Sequence, residues 1–155
     1  RTVEMPVWRT TEELAVVALR EFLEKYALPA NEVRFEEGSG LSRNNLTTAN
    51  ATVALLKLMT THRAADDFRA ALPIAGVDGT LRLRMKDTAA AGNVRAKTGS
   101  LRYANTLSGF VTTAAGERLV FSLMLNRNSQ QPPNRNVREE LDDVAVILAQ
   151  FRGAR

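Results

Sequence analysis

Residues 93–111, NVRAKTGSLRYANTLSGFV, mark the point where the sequence changes its pattern. From residue 94 onward the helical spacing of apolar residues gives way to β-type runs. VRAKTGSL (94–101), ANTLSGFVTTA (104–114) and ERLVFSLMLN (117–126) are expected strands, with Ala115-Gly116-Glu117 joining the last two as a tight hairpin. The first strand carries Lys97, Thr98, Gly99 and Ser100. A cation and a hydroxyl suit a carboxylate, and glycine lets a peptide backbone lie close. The next backbone N–H can face a developing oxyanion. The same residues equally suit an exposed edge strand that a lysine guards against aggregation.

Upstream the chain reads as helices. Thr10-Thr11-Glu12-Glu13 has the form of a capping box, and Leu14, Ala18, Leu19, Phe22, Leu23 and Tyr26 follow at helical spacing until Pro29. Residues 33–36 suit a short strand, and EGSGLSRNN (37–45) suits a loop. A second helix is expected from about Thr48 to His62, burying Val53, Leu56 and Met59. DDFRAALPIAG (66–76) reads as a short helix broken at Pro73, and VDGTLRLRM (77–85) as a turn or a strand. Downstream, SQQPPNRN (129–136) is an expected loop. The closing helix sets Val137, Leu141, Val144, Leu148 and Phe151 on one stripe. The fold class is therefore α+β, an antiparallel sheet packed by helices. Neither a repeat nor a linker divides residues 1–155.

Composition narrows the function. The 155 residues carry 21 Lys and Arg against 17 Asp and Glu, a net charge of +4, and no Cys. Disulfides and thiolate metal sites are excluded. No apolar run approaches the roughly 18 residues of a membrane span, and the stretch after Arg1 lacks a signal-peptide pattern. The positive charges are scattered among acids, which describes a solvated basic surface rather than a nucleic-acid footprint. Such a surface also suits an anionic polymer such as a cell wall, or a membrane surface.

Ser-x-x-Lys, Ser-Asp-Asn and Lys-Thr-Gly are the motif set of penicillin-binding proteins and β-lactamases. AKTGS (96–100), LSGFVTTAAGERLVFSLMLN (107–126), EEGSGLSRNNLTTANATVALL (36–56) and FRAALPIAGVDGTLRLRM (68–85) together resemble the S13 peptidase family. These are the low-molecular-mass class C penicillin-binding proteins, D-alanyl-D-alanine carboxypeptidases and endopeptidases. The resemblance runs from about Glu36 to Asn126, and less clearly through the flanking helices. It implies the C-terminal part of a penicillin-binding-protein/β-lactamase-like transpeptidase fold, working in the periplasm or otherwise outside the cytoplasm at the cell wall. Lys97 would supply charge and help proton movement around the nucleophile. Thr98 would bind the terminal carboxylate of the D-Ala-D-Ala stem or of a β-lactam. Gly99 would align the peptide, and the Ser100 N–H would form half of an oxyanion hole. No cofactor or metal is implied. Expected partners are peptidoglycan stem peptides, β-lactams and the missing N-terminal part of the same domain. A second copy of the chain, as a homo-oligomer, is also a candidate, and nucleic acid is not.

The departures from the family are specific. None of Ser39, Ser42, Ser100, Ser108, Ser122 and Ser129 is followed three places later by Lys. The nucleophile and its general base are thus expected outside this chain, which alone should not turn over substrate. Ser42-Arg43-Asn44 spells Ser-x-Asn, but the family's SGLSR is a separate block, so residues 37–43 are expected to be structural support. Glu37 stands where the family usually has Asp. His62, the single histidine, is expected at the surface. Asp66-Asp67, Glu139-Glu140 and Asp142-Asp143 are adjacent pairs that diverge by about 100° on a helix, and read as solvated caps. The runner-up to the enzyme is a non-catalytic peptidoglycan- or partner-binding relative; a basic nucleic-acid-binding domain ranks third, since the charge pattern speaks against it.

Overall fold

The structure, a computed structural model, describes residues 9–127 and 136–153. The chain divides into two compact units, one reaching to Ala51 and one from Thr52 onward.

The first unit opens with α1 (Thr11–Lys25). Thr10 Oγ1 accepts the Glu13 N–H at 3.2 Å, and Glu13 Oε2 accepts the Thr10 N–H at 2.8 Å. The capping box thus satisfies two otherwise orphaned donors. The helix ends before Pro29. Ala27 sits at φ +50°, its N–H bonds the Glu24 carbonyl at 3.0 Å, and the Leu28 N–H bonds the Leu23 carbonyl at 2.8 Å. This is a Schellman ending carried by an alanine. On α1 Leu23 is buried, whereas Leu14, Val17 and Leu19 are exposed. A 3₁₀ turn over Ala30–Glu32 leads to β1 (Val33–Arg34), which pairs antiparallel with β2 (Leu46–Thr47).

Helix α2 (Ala49–Met59) starts in the first unit and continues into the second. Thr48 Oγ1 accepts the Ala51 N–H at 3.0 Å and caps the helix, which ends at Met59, short of the expected His62. Leu56 and Met59 are buried, and Val53 is half-buried. Within the second unit, α3 (Ala65–Ala70) brings Phe68 against a small core of Leu56, Leu72 and Phe110. The ambiguous segment 77–85 resolves as a turn: a 3₁₀ helix spans Gly79–Leu81, and Leu81 is fully buried.

The sheet is the expected meander, β3 (Arg95–Leu101), β4 (Ala104–Thr112) and β5 (Arg118–Asn126), ordered β3-β4-β5. Its register runs from Arg95↔Phe110 to Leu101↔Ala104, and from Ala104↔Asn126 to Thr112↔Arg118. The second turn closes through Thr113, whose N–H bonds the Glu117 carbonyl at 2.8 Å. Where β3 has not yet begun, Asn93 stands in for it. Its amide accepts the Thr112 N–H at 2.9 Å and donates to the Thr112 carbonyl at 2.7 Å.

Alternation along the strands divides the sheet into two faces. Ala96, Leu107, Val111 and Phe121 share one core with Leu141, Ala145 and Ala149 of α4 (Val137–Gln150). The buried stripe of α4 is Val137, Leu141, Ala145 and Ala149, with Leu148 partly buried. Val144 and Phe151, expected on that stripe, are 40% and 44% exposed. The reason is steric: alanines at the contact let the helix axis approach the sheet, and the bulkier residues turn outward. Asp142 also departs from the expected solvated cap. Arg84 grips it through Nη2 to Oδ1 at 2.7 Å and Nε to Oδ2 at 3.0 Å, with both side chains largely shielded from solvent. The expected loop 129–136 lies, apart from Asn136, outside the described residues. No described helix is long and apolar enough to cross a membrane.

Candidate functional site

Lys97, Thr98, Gly99 and Ser100 all lie on β3, the strand at one margin of the sheet. Which of their backbone groups face outward follows from the segment that precedes them in space. The Ala75 N–H bonds the Val94 carbonyl at 2.9 Å, and the Ala96 N–H bonds the Pro73 carbonyl at 3.0 Å. Residues 73–75 therefore zip onto the outer side of β3 at residues 94 and 96. In an antiparallel strand both backbone groups of a residue point to one side, and the side alternates. Thr98 and Ser100 thus turn their N–H and C=O groups to the same outer edge, beyond the point where the zipper ends. No other strand of the described residues pairs with that edge.

The side chains divide differently. In register, Lys97 stands beside Ser108 of β4 and Ser122 of β5, a row across the sheet face opposite α4. The Ser108 and Ser122 hydroxyls are 2.9 Å apart. Lys97 is exposed, and its Nζ donates to the Thr98 carbonyl at 2.6 Å. The ammonium is thereby held along the strand edge. Thr98 Oγ1 donates to Thr80 Oγ1 at 3.0 Å, and Ser100 Oγ donates to Asn105 Oδ1 at 3.1 Å. Gly99 has a structural reason as well as the expected one, since a Cβ there would collide with the Thr106 hydroxyl of β4. The arrangement offers a cation, a hydroxyl and two outward N–H groups along one edge, which together suit an extended peptide ending in a carboxylate.

Ser42-Arg43-Asn44 lies in the first unit, in a loop stitched by its own hydrogen bonds. The Ser42 hydroxyl donates to the Glu36 carboxylate, and Asn44 Nδ2 donates to Glu36 Oε1 at 2.8 Å. Those two bonds, Ser42 first, hold the Glu36 carboxyl below the usual glutamate range. Glu37 is lowered in the same way, chiefly by Ser39 and then by the Ser42 N–H, which donates to its Oε1 at 3.1 Å. His62 is half-buried, and its Nδ1 accepts the Ala64 N–H at 3.2 Å. Asp66 lines a cleft of about 330 Å³ with Arg69, Arg118 and Phe110, at the hairpin end of the sheet. Thr80 and the Ser108–Ser122 pair were not singled out by sequence reasoning. Thr80 and Thr98 are eighteen positions apart, so no local pattern joins them.

Known proteins resemble the chain in both sequence and fold. The sequence matches the D-Ala-D-Ala carboxypeptidase 3 (S13) family over residues 6–148. It is 38% identical over 148 residues to a D-alanyl-D-alanine carboxypeptidase of Actinomadura sp. (strain R39), covering 92% of this chain and 27% of that protein. It is 34% identical over 116 residues to the D-alanyl-D-alanine carboxypeptidase DacB of Haemophilus influenzae, covering 74% of this chain and 24% of that one. The chain thus spans about a quarter of the length of these relatives. The fold matches the crystal structure of penicillin binding protein 4 (dacB) from Haemophilus influenzae with a TM-score of 0.77 at 29% identity, over 89% of this chain and 32% of that one. That protein has also been solved in complex with a novel β-lactam. With residues 6–148 of the chain matching the family and the fold matched in three dimensions, this chain belongs to the D-Ala-D-Ala carboxypeptidase 3 (S13) family.

Proposed function

We propose that the chain is the C-terminal portion of the transpeptidase domain of a serine-type D-Ala-D-Ala carboxypeptidase or endopeptidase, acting on peptidoglycan peptides outside the cytoplasmic membrane. The observation that carries this reading is the outer edge of β3. Backbone groups of Thr98 and Ser100 face outward there, beside the Lys97 ammonium and the Thr98 hydroxyl. An incoming stem peptide lies along this edge with its terminal carboxylate against Thr98 and Lys97. A serine supplied by the remainder of the domain attacks the penultimate D-Ala carbonyl, and its Oγ–C bond forms as the C–N bond breaks. The departing D-Ala amine takes up a proton, and water later cleaves the acyl ester. The Ser100 N–H, on the outer side of the strand, donates to the oxygen that becomes negative. Lys97 places its charge beside the nucleophile and assists the proton's movement.

A second reading has one observation in its favour: no serine of this chain has a lysine three places on. On that reading the chain is a non-catalytic relative that keeps the edge to hold peptides or partners. Labelling with a fluorescent penicillin separates the two. The product of the complete reading frame that contains this chain is expected to label covalently, whereas residues 1–155 alone are not. Labelling is expected to vanish in the complete product carrying Lys97→Ala, with the fold retained, because an exposed edge lysine contributes little packing. Failure of the complete product to label would favour the binder, and labelling of residues 1–155 alone would place the nucleophile within them.

A further inference from the structure

We propose that Thr80 is a positioning residue for the carboxylate-binding hydroxyl of Thr98, an inference that rests on the function proposed above. Thr98 Oγ1 and Thr80 Oγ1 are 3.0 Å apart, the one side-chain bond that Thr98 makes with another side chain among those described. Thr80 itself is exposed, so packing of its own side chain does not place it. The turn beneath it does. Asp78 Oδ1 accepts the Ile74 N–H at 2.7 Å, the Leu81 N–H bonds the Asp78 carbonyl at 3.2 Å, and the Gly76 N–H bonds the Leu81 carbonyl at 3.0 Å. Leu81 is fully buried in the main core. Pro73 and Ala75 bond directly to Ala96 and Val94 of the segment that carries the site. The turn and β3 therefore form one frame, and Thr80 is held at a set place along the edge.

A threonine hydroxyl has one donor and two acceptor positions. In the structure Thr98 spends its donor on Thr80. To donate to an arriving carboxylate, Thr98 must turn its O–H outward, which frees an oxygen lone pair on the inner side. Thr80 can then rotate its own O–H into that lone pair. The bond between the two hydroxyls reverses direction instead of being lost, giving a chain from Thr80 through Thr98 to the carboxylate. Such a chain polarises each member and strengthens the outer bond. The Lys97 ammonium, held on the Thr98 carbonyl, keeps positive charge beside the same ligand. A valine at position 80 preserves shape but can neither receive the hydroxyl nor donate to it.

The test uses the product of the complete reading frame containing this chain, with two dipeptide-terminated ligands: one ending in the free D-Ala carboxylate, the other in its carboxamide. In Thr80→Val the KM for the carboxylate ligand should rise roughly 3- to 10-fold with kcat little changed, the loss of one hydrogen bond in the chain. The carboxamide ligand should change less than about 2-fold, since its N–H can donate to the Thr98 oxygen while the Thr98 O–H stays turned inward, with no reversal needed. Thr80→Ser, which keeps the hydroxyl, should behave as the wild type. An unchanged ratio between the two ligands in Thr80→Val overturns the proposal. So does an equal loss for both ligands, or a Thr80→Ser variant as impaired as Thr80→Val, since either result makes Thr80 a matter of turn shape alone. A wild-type product that neither binds these ligands nor takes up penicillin overturns the functional reading, and this inference with it.

Discussion

Glu36 and Glu37 show how single side chains set local order in this protein. Each carboxylate is held below its usual range by hydrogen bonds from its own loop, from Ser42 and Asn44 to Glu36 and from Ser39 and Ser42 to Glu37. A carboxyl lowered on folding contributes stability that is present above the ordinary glutamate range and lost as pH falls through the lowered value. The loop 36–45 is therefore expected to stay ordered at neutral pH and to loosen below the usual glutamate range. Amide exchange at Ser39 and Ser42, followed against pH, should show this loss, and Glu37→Gln should flatten the pH dependence at both amides. Faster exchange on raising the pH, beyond the intrinsic rate, would contradict the assignment. At the same scale the sequence offered Lys97 and Thr98 as candidates, because a cation and a hydroxyl are carried in the residue types. About Thr80 it was silent, because a hydroxyl acquires a role here only through the neighbour that folding brings to it.

Among the elements, the strands were the most legible. A period of two needs no knowledge of the partner, and the expected runs 94–101, 104–114 and 117–126 differ from β3, β4 and β5 by two residues or fewer at each end. The second strand also contains a position that tolerates nothing larger than glycine. A Cβ on Gly109 would meet the Arg95 carbonyl oxygen and stand 2.6 Å from the Ala96 Cα, so the backbone itself would have to move. Gly109→Ala is expected to destabilise the chain by about 2–3 kcal/mol, read as a lower urea midpoint at unchanged slope. A neutral result would mean that β3 shifts freely. Helix α4 was read less well. Hydropathy placed Val144 and Phe151 on the buried side, while the packed side is built on Ala145 and Ala149. Alanine is a weak hydrophobic signal but a strong packing one, and a helical wheel ranks residues by the first property alone. The end of α1 was misread for a related reason: Ala27 enters a conformation usually left to glycine, and nothing in its side chain announces that.

At the scale of the whole molecule, β5 raises the question that β3 answers. The described residues place no strand on its outer side. Its outward-facing backbone groups invite another strand, from the rest of the proposed domain or from a second copy. Residues 1–155 alone are accordingly expected to associate with rising concentration in sedimentation velocity. By the alternation that turns Leu123 toward β4, Met124 directs its N–H outward, so Met124→Pro should block association while the sheet remains intact. Association undiminished by that proline would assign the contact to another surface.

The sequence by itself determined the class of this protein. The switch from helical to alternating periodicity, the Lys-Thr-Gly tripeptide and the order of the blocks around it are properties of residue type and spacing, and both survive without coordinates. Only the tertiary structure decided which side of β3 is open. Residues 73–75 cover the strand at Val94 and Ala96 and stop short of Thr98, and the turn that follows brings Thr80 to its hydroxyl. Those contacts join segments about twenty residues apart, and their existence depends on where the chain returns in space.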